Sequence, residues 1–214
     1  MGTDGAAASL TDAVCVAGGY PVLAGVTLEV ERATLTVVTG PNGAGKTSLL
    51  ALLAGLLPLT SGSAVVAGVD LAGGDARELR ARVGWLGHEG SFYDDLSTRE
   101  NLTFAARALG RPRSSVDDAL ERVSLTRRAD SPAKRLSAGQ RRRLALAWLL
   151  VRRPELWLLD EPYASLDDEG RGFFDHLVGD VVAAGATVVV SAHDPLRSAH
   201  LAPRTVALAG GRVA

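Results

Sequence analysis

Residues Gly40-Pro41-Asn42-Gly43-Ala44-Gly45-Lys46-Thr47 constrain this chain more than any other stretch. They fit G-x-x-x-x-G-K-[ST] and sit where a strand gives way to a helix. Thr34–Thr39 is rich in β-branched residues, and Lys46 to Leu57 has helical apolar spacing ending at Pro58. Glycines in such a turn let backbone N–H groups converge on an anion, because a Cβ would block the approach. The helix that follows points its positive end at the same spot. Lys46 adds a point charge for phosphate, and Thr47 offers a hydroxyl to Mg²⁺. The basic residues sharpen this reading. Of 23 Lys and Arg, only Lys46 and Lys134 are lysines. Lys46 occupies a slot that suits a compact ammonium better than a long planar guanidinium. Lys134 has no comparable account, and chance explains it.

The chain has 214 residues, enough for one domain or for two small lobes sharing a core. Its net charge of −1 argues against a general nucleic-acid binder, which carries a basic excess. The single cysteine, Cys15, excludes an intramolecular disulfide, and its context is not a haem-attachment motif. The opening MGTDGAAASL lacks a basic start and a long apolar core, so it reads as a loose small-residue leader. No apolar run approaches the ~18 residues needed to span a bilayer. Work at a membrane would need another chain to hold this one there.

Along the chain, Thr27–Val30 and Thr34–Thr39 read as strands, followed by the Lys46–Leu57 helix and β stretches at Gly62–Val69 and Arg82–Gly87. The pattern then turns helical from about Ser97 to Arg153. A Ser97/Glu100 capping box opens a helix to about Leu109, and Ser115–Val123 and Ser137–Arg153 follow. Alternation resumes with a strand at Leu156–Leu159, a helix near Asp168–Ala184 and a strand at Ala186–Ser191. A short helix after Pro195 and a strand at Thr205–Leu208 end the chain. The layout is an α/β core interrupted by a helical insert.

Two further signals carry chemistry. Leu156-Trp157-Leu158-Leu159 is an apolar strand ending in Asp160 and Glu161. Asp160 suits a Mg²⁺ site, and Glu161 suits accepting a proton from, or orienting, an attacking water. Leu136-Ser137-Ala138-Gly139-Gln140 opens a helix with Ser137 as a natural N-cap, a second anion site on a second helix start. Two phosphate sites in one chain suggest a nucleotide sandwiched between two chains.

In these three motifs, their order and their spacing, the sequence resembles the ATP-binding subunits of ABC transporters over nearly its whole length. The resemblance implies a P-loop NTPase of the ABC ATPase type: an α/β, RecA-like core with an antiparallel β lobe and a helical sub-domain. It implies one domain over residues 8–214, with a core lobe at about 8–88 and 154–214 and a helical lobe at about 89–153. ATP would be held by Gly40, Pro41, Asn42, Gly43, Ala44, Gly45, Lys46, Thr47 and Ser48, with Tyr20 stacked on the adenine and Mg²⁺ held by Thr47 and Asp160. Glu161 matches the catalytic glutamate, His193 the switch histidine at the γ-phosphate, and Asp167 the residue coupling the two sites of a dimer. Leu136, Ser137, Ala138, Gly139 and Gln140 match the signature that acts on the opposite subunit's ATP.

The sequence departs from the family at one place. His88 stands where the family has a glutamine near Mg²⁺ and water, which puts a metal role there in doubt. Trp85-Leu86-Gly87-His88, ENLTF, LWLLDEP and AHDPL are similar to the ATP-binding subunits of cytochrome c biogenesis haem exporters. That resemblance implies a peripheral protein on the cytoplasmic face of the membrane. Its partners would be integral membrane subunits and a second ATP-binding subunit, as a homodimer. A membrane subunit would dock a short helix near His88–Asp95, between core and helical lobe. No nucleic-acid partner and no direct haem binding are expected. Alternative readings are the ATPase subunit of another ABC exporter, a soluble ABC-type ATPase of cluster assembly, and a P-loop small-molecule kinase. Arg141-Arg142-Arg143 reads as a helix face with partners in its own lobe, and His176 and His200 receive no role.

Overall fold

The computed structural model describes residues 5–87, 92–163, 166, 168–192 and 203–214. The chain divides into two compact units. The first comprises the residues up to Trp85, Pro154–Pro162 and Val178 onward, and the second Leu86–Arg153 and Tyr163–Leu177.

The first unit is built on two sheets. Strands β1 (Ala6–Ala17), β2 (Tyr20–Glu31), β4 (Ser61–Val66) and β5 (Val69–Asp70) form an antiparallel sheet in the order β2-β1-β4-β5. The second sheet contains β3 (Leu35–Thr39), β6 (Val83–Leu86), β7 (Leu156–Leu159), β8 (Thr187–Ser191), β9 (Arg204–Ala209) and β10 (Arg212–Val213). Its order is β10-β9-β3-β8-β7-β6, and β9, β3, β8 and β7 pair in parallel. Strands β7 and β8 are buried along their whole length, which suits the apolar runs Leu156–Leu159 and Val188–Val190.

β1 corrects the reading of the N-terminus as a loose leader from Ala6 onward. Alanine is a poor strand former, yet Ala7, Ala8, Leu10, Ala13 and Cys15 join one core cluster with Leu49, Leu50, Leu52 and Leu53. Pairing and burial override intrinsic propensity here. The strand bends at Asp12, which has a left-handed φ of 48° where the register with β2 shifts.

Helix α1 (Lys46–Leu53) ends short of the expected Leu57. Gly55 turns left-handed at φ 69°, its N–H donates to Leu52 O at 2.9 Å, and Leu56 N–H donates to Ala51 O at 2.8 Å. That pair of bonds is a Schellman stop, so glycine closes the helix before Pro58 can. The short helix α2 (Ala76–Arg82) was not expected. Asp75 caps it by accepting the Arg77 N–H at 2.7 Å.

The second unit holds helices α3 (Thr98–Ala108), α4 (Ser114–Arg122) and α5 (Ala138–Arg152). Leu102, Ala105, Val116, Leu120, Leu144 and Ala147 are among its buried residues. The Ser97/Glu100 capping box is complete, with bonds of 3.1 and 2.7 Å. The buried Asn101 amide bonds Tyr93, Leu96 and Ser97 and so ties the preceding segment to α3. Helix α6 (Asp168–Ala183) belongs with this unit up to Leu177 and with the first from Val178. The short helix expected after Pro195 lies outside the described residues.

Candidate functional site

Parallel strands β3, β7 and β8 end on one edge of the sheet, where Val38 is level with Ser191 and Leu159 with Val190. Open α/β sheets bind ligands beyond the carboxyl ends of their strands. Here that edge carries the turn 40–45, Asp160 with Glu161, and Ser191.

The turn has the geometry its glycines permit. Gly40, Gly43 and Gly45 have φ of 142°, 78° and 102°. A Cβ at Gly40 would stand 2.3 Å from Leu208 O, and one at Gly45 would stand 2.9 Å from Val22 O. Gly211 N–H, in the β9–β10 hairpin, donates to Ala44 O at 3.0 Å. Lys46 is only 6% exposed. Its Nζ donates to Gly40 O at 2.8 Å and Pro41 O at 3.1 Å, which anchors a buried ammonium inside the turn.

Asp160 is buried and held by both oxygens. Oδ2 accepts from Thr47 Oγ1 at 2.9 Å and Oδ1 from Ser191 Oγ at 2.6 Å. Glu161 is left-handed at φ 44°, a conformation that costs a non-glycine residue about 1–2 kcal/mol. Its N–H donates to Ser191 Oγ at 2.8 Å. A cavity of about 410 Å³ has Asn42, Lys46, Thr47, Ser48, Glu161 and Gly211 in its wall. Pro21 and Val22 also line it, while Tyr20, next in the chain, is 77% exposed. A hydroxyl beside a carboxylate oxygen is a hard-oxygen donor set, which fits Mg²⁺.

Ser137 to Gln140 lie in the second unit. Ser137 caps α5, and Gln140 completes the box with bonds of 3.1 and 3.3 Å, while Leu136 is buried just before them. A Cβ on Gly139 would meet nothing within 4 Å. Ser137, Gly139, Gln140 and Arg143 line a separate cavity of about 430 Å³. The three arginines find partners in their own unit. Arg141 bonds Asp94, Arg142 bonds Gly87 O, and the Arg143 guanidinium lies 4.5 Å from the Phe173 ring centroid. Lys134, attributed above to chance, pairs with Asp95 at 2.6 Å. His88, Asp167 and His193 lie outside the described residues.

Three groups of this edge were not singled out from sequence: Ser191, the Gly210–Gly211 hairpin and the Pro21–Val22 wall. Each depends on strand pairing, which no local motif reports.

The ABC transporter family model matches residues 23–164. The cytochrome c biogenesis ATP-binding export protein CcmA of Nitrobacter winogradskyi is 43% identical over 183 residues, covering 85% of this chain and 89% of that protein. CcmA 2 of Cupriavidus metallidurans is 42% identical over 181 residues, covering 84% and 85%. Among solved structures, an ATP-binding subunit of an ABC transporter superposes with a TM-score of 0.86 at 25% identity, over 96% of this chain and 87% of that one. A dimeric post-hydrolysis state of the ATP-binding cassette MJ0796 with ADP and Pi bound also gives 0.86 at 25% identity, over 96% of both chains. The family match takes in the phosphate turn, the capped start of α5 and the strand end at Asp160 and Glu161, and the chain belongs to the ABC transporter family.

Proposed function

We propose that this chain is the ATP-hydrolysing subunit of an exporter that serves cytochrome c biogenesis, moving haem or driving its release to a chaperone. Its 43% identity to a protein named for cytochrome c biogenesis export supports the cargo class. Glu161 and Lys46 in the wall of one cavity, with Asp160 bonded to Thr47 beside them, support the chemistry. The shared cavity is the observation that carries the reading.

In this mechanism the turn from Gly40 to Ser48 receives the ATP phosphates on its backbone N–H groups. Lys46 then exchanges its carbonyl partners for β- and γ-oxygens. Thr47 and Asp160 would hold Mg²⁺, whose charge, when it is bound, offsets that developing on the phosphates. Glu161 orients a water in line with the γ-phosphorus and takes its proton. The water oxygen bonds phosphorus, the bond to the β-phosphate bridging oxygen breaks, and ADP and Pi result. Tyr20 stacks on the adenine ring. Ser137, Ala138 and Gly139 serve the ATP of a second copy, while Asp167 couples the two sites and His193 contacts the γ-phosphate.

The partners are a second copy and integral membrane subunits. No helix among the described residues is long and apolar enough to cross a membrane. Tyr93 and Phe104, both more than half exposed and packed edge to face at 5.4 Å, give the second unit an aromatic surface on which a membrane subunit's cytoplasmic helix can seat. The protein would then sit at the cytoplasmic face as a peripheral subunit.

Glu161→Gln tests the chemistry. Turnover should fall by two orders of magnitude or more while ATP binding survives, and wild-type turnover would overturn the assignment. Deleting the subunit from its host tests the cargo, because haem loading of the chaperone should stop. Loading that persisted would refute the haem role and leave the ATPase reading standing.

A further inference from the structure

Ser191 is the last residue of β8 and is fully buried at 0% exposure. A hydroxyl carries one proton and two acceptor lone pairs. Asp160, as a carboxylate, can only accept, so the Ser191 proton lies on Asp160 Oδ1 across 2.6 Å. A lone pair of the same oxygen receives the Glu161 N–H across 2.8 Å. One atom therefore touches two consecutive acids by different faces.

Each contact has a geometric consequence. With Oδ1 engaged by Ser191, Asp160 turns Oδ2 toward Thr47, 2.9 Å away, which fixes the plane of the carboxylate. With its N–H engaged by Ser191, Glu161 is kept in the left-handed conformation at φ 44°. That conformation ends strand β7 abruptly and puts Glu161 in the wall of the cavity it shares with Lys46 and Thr47. Neither consequence follows from the chain around Asp160. Both depend on β8 lying beside β7 with Leu159 level with Val190.

We propose that Ser191 is a positioning residue for ATP hydrolysis, its single hydroxyl setting the Asp160 carboxylate and the Glu161 turn as one unit. The proposal rests on the reading of Asp160 and Glu161 as the hydrolytic pair. It adds a residue that is fully buried, lies outside the cavity wall and acts through both acids.

The test compares Ser191→Ala and Ser191→Thr in the full chain. Outer-shell partners of metal-ligating carboxylates typically affect metal affinity or activity by about 10–100-fold. S191A should lose kcat within that range, while the Kd of ATP measured in EDTA changes less than about twofold. Mn²⁺ bound in the presence of ATP, read by electron paramagnetic resonance, should half-saturate at about tenfold higher concentration. S191T keeps the hydroxyl on a β-branched side chain that suits a strand, and it should restore both kcat and Mn²⁺ affinity. If S191A loses its cooperative melt, Ser191→Cys, which keeps volume but donates weakly, replaces it in the comparison. Wild-type kcat and Mn²⁺ affinity in S191A would overturn the proposal, as would equal losses in S191A and S191T. Glu161→Gln separates the two levels of argument. If E161Q is silent while S191A is normal, the positioning role fails and the hydrolytic pair stands. If E161Q turns over normally, the underlying reading fails first.

Discussion

Alanine at Gly40, Gly43 or Gly45 offers a strong test of how the phosphate turn is built. All three glycines have positive φ, so each substitution carries a conformational penalty of about 1–2 kcal/mol. They differ in the space around them. At Gly43 a Cβ would meet nothing within 4 Å. At Gly40 it would lie 2.3 Å from Leu208 O and 3.2 Å from Leu208 C. Both sides of that contact are braced, because β3 pairs with β9 and Thr39 is level with Ala207. Opening the gap toward an ordinary contact means separating two hydrogen-bonded strands. Overpacking of this kind costs about 1–3 kcal/mol beyond the conformational penalty. For a chain of this size each kcal/mol moves the melting temperature by about 2–4 °C. G40A should therefore melt roughly 2–12 °C below G43A. G45A should fall between them, since its nearest obstacle is Val22 O at 2.9 Å. Differential scanning calorimetry without nucleotide reads the order directly, and a fluorescent ATP analogue then reports whether the turn still binds. Equal melting of G40A and G43A would refute the steric account, in which the Leu208 carbonyl of β9 leaves no room for a Cβ at Gly40.

Other outcomes follow from single contacts. Glu100 closes the α3 capping box, and the Ser97 backbone and hydroxyl hold its carboxyl below the usual glutamate range. Its stabilising effect is complete above the unfolded pKa of about 4.3 and fades as pH falls through the lowered folded value. E100Q should therefore show a flatter melting profile between pH 7 and pH 3 than wild type. Lys134 is 56% exposed and its partner Asp95 87%, so Lys134→Met should leave the melting temperature nearly unchanged, and any difference should vanish in about 1 M salt. A larger, salt-independent loss would mean that the pair does more than decorate the surface. Tyr20→Ala should leave the melt unchanged, since the ring is exposed, yet raise the ATP KM about fivefold or more, with Tyr20→Phe near wild type. An unchanged KM in Y20A would remove Tyr20 from the nucleotide site.

What the sequence revealed and what it hid divide along one physical line. Features whose cause is local were legible. The turn 40–47 carries its own glycines and lysine, and the Ser97/Glu100 capping box and the Ser137 N-cap find their partners within three residues. The apolar run 156–159 announces a buried strand. Features whose cause lies elsewhere in the chain were not. β1 is a strand because it pairs with β2 and β4 and its alanines join one buried cluster with the leucines of α1, facts absent from the MGTDGAAASL stretch itself. Helix α1 closes at Gly55 through its two Schellman bonds, three residues before the Pro58 at which the apolar spacing ends. Helix α2, at seven residues, is too short to display a period.

The same line explains why the site is more than its motifs. Its acids and hydroxyls come from segments around residues 47, 160 and 191, and only parallel pairing in the order β3-β8-β7 brings those strand ends together. Each motif alone is incomplete. Thr47 needs Asp160 to orient its hydroxyl, Asp160 needs Ser191 to settle its second oxygen, and the Glu161 turn needs the same serine. Lys46 shows the converse. Its partners are Gly40 and Pro41, six and five residues away, so its place in the turn could be read from sequence before any strand was paired. Residues with local partners announce themselves as motifs, whereas residues that join motifs do so through the sheet. Ser191 is of the second kind: it ends β8, and the pairing of β8 with β7 brings its hydroxyl to Asp160.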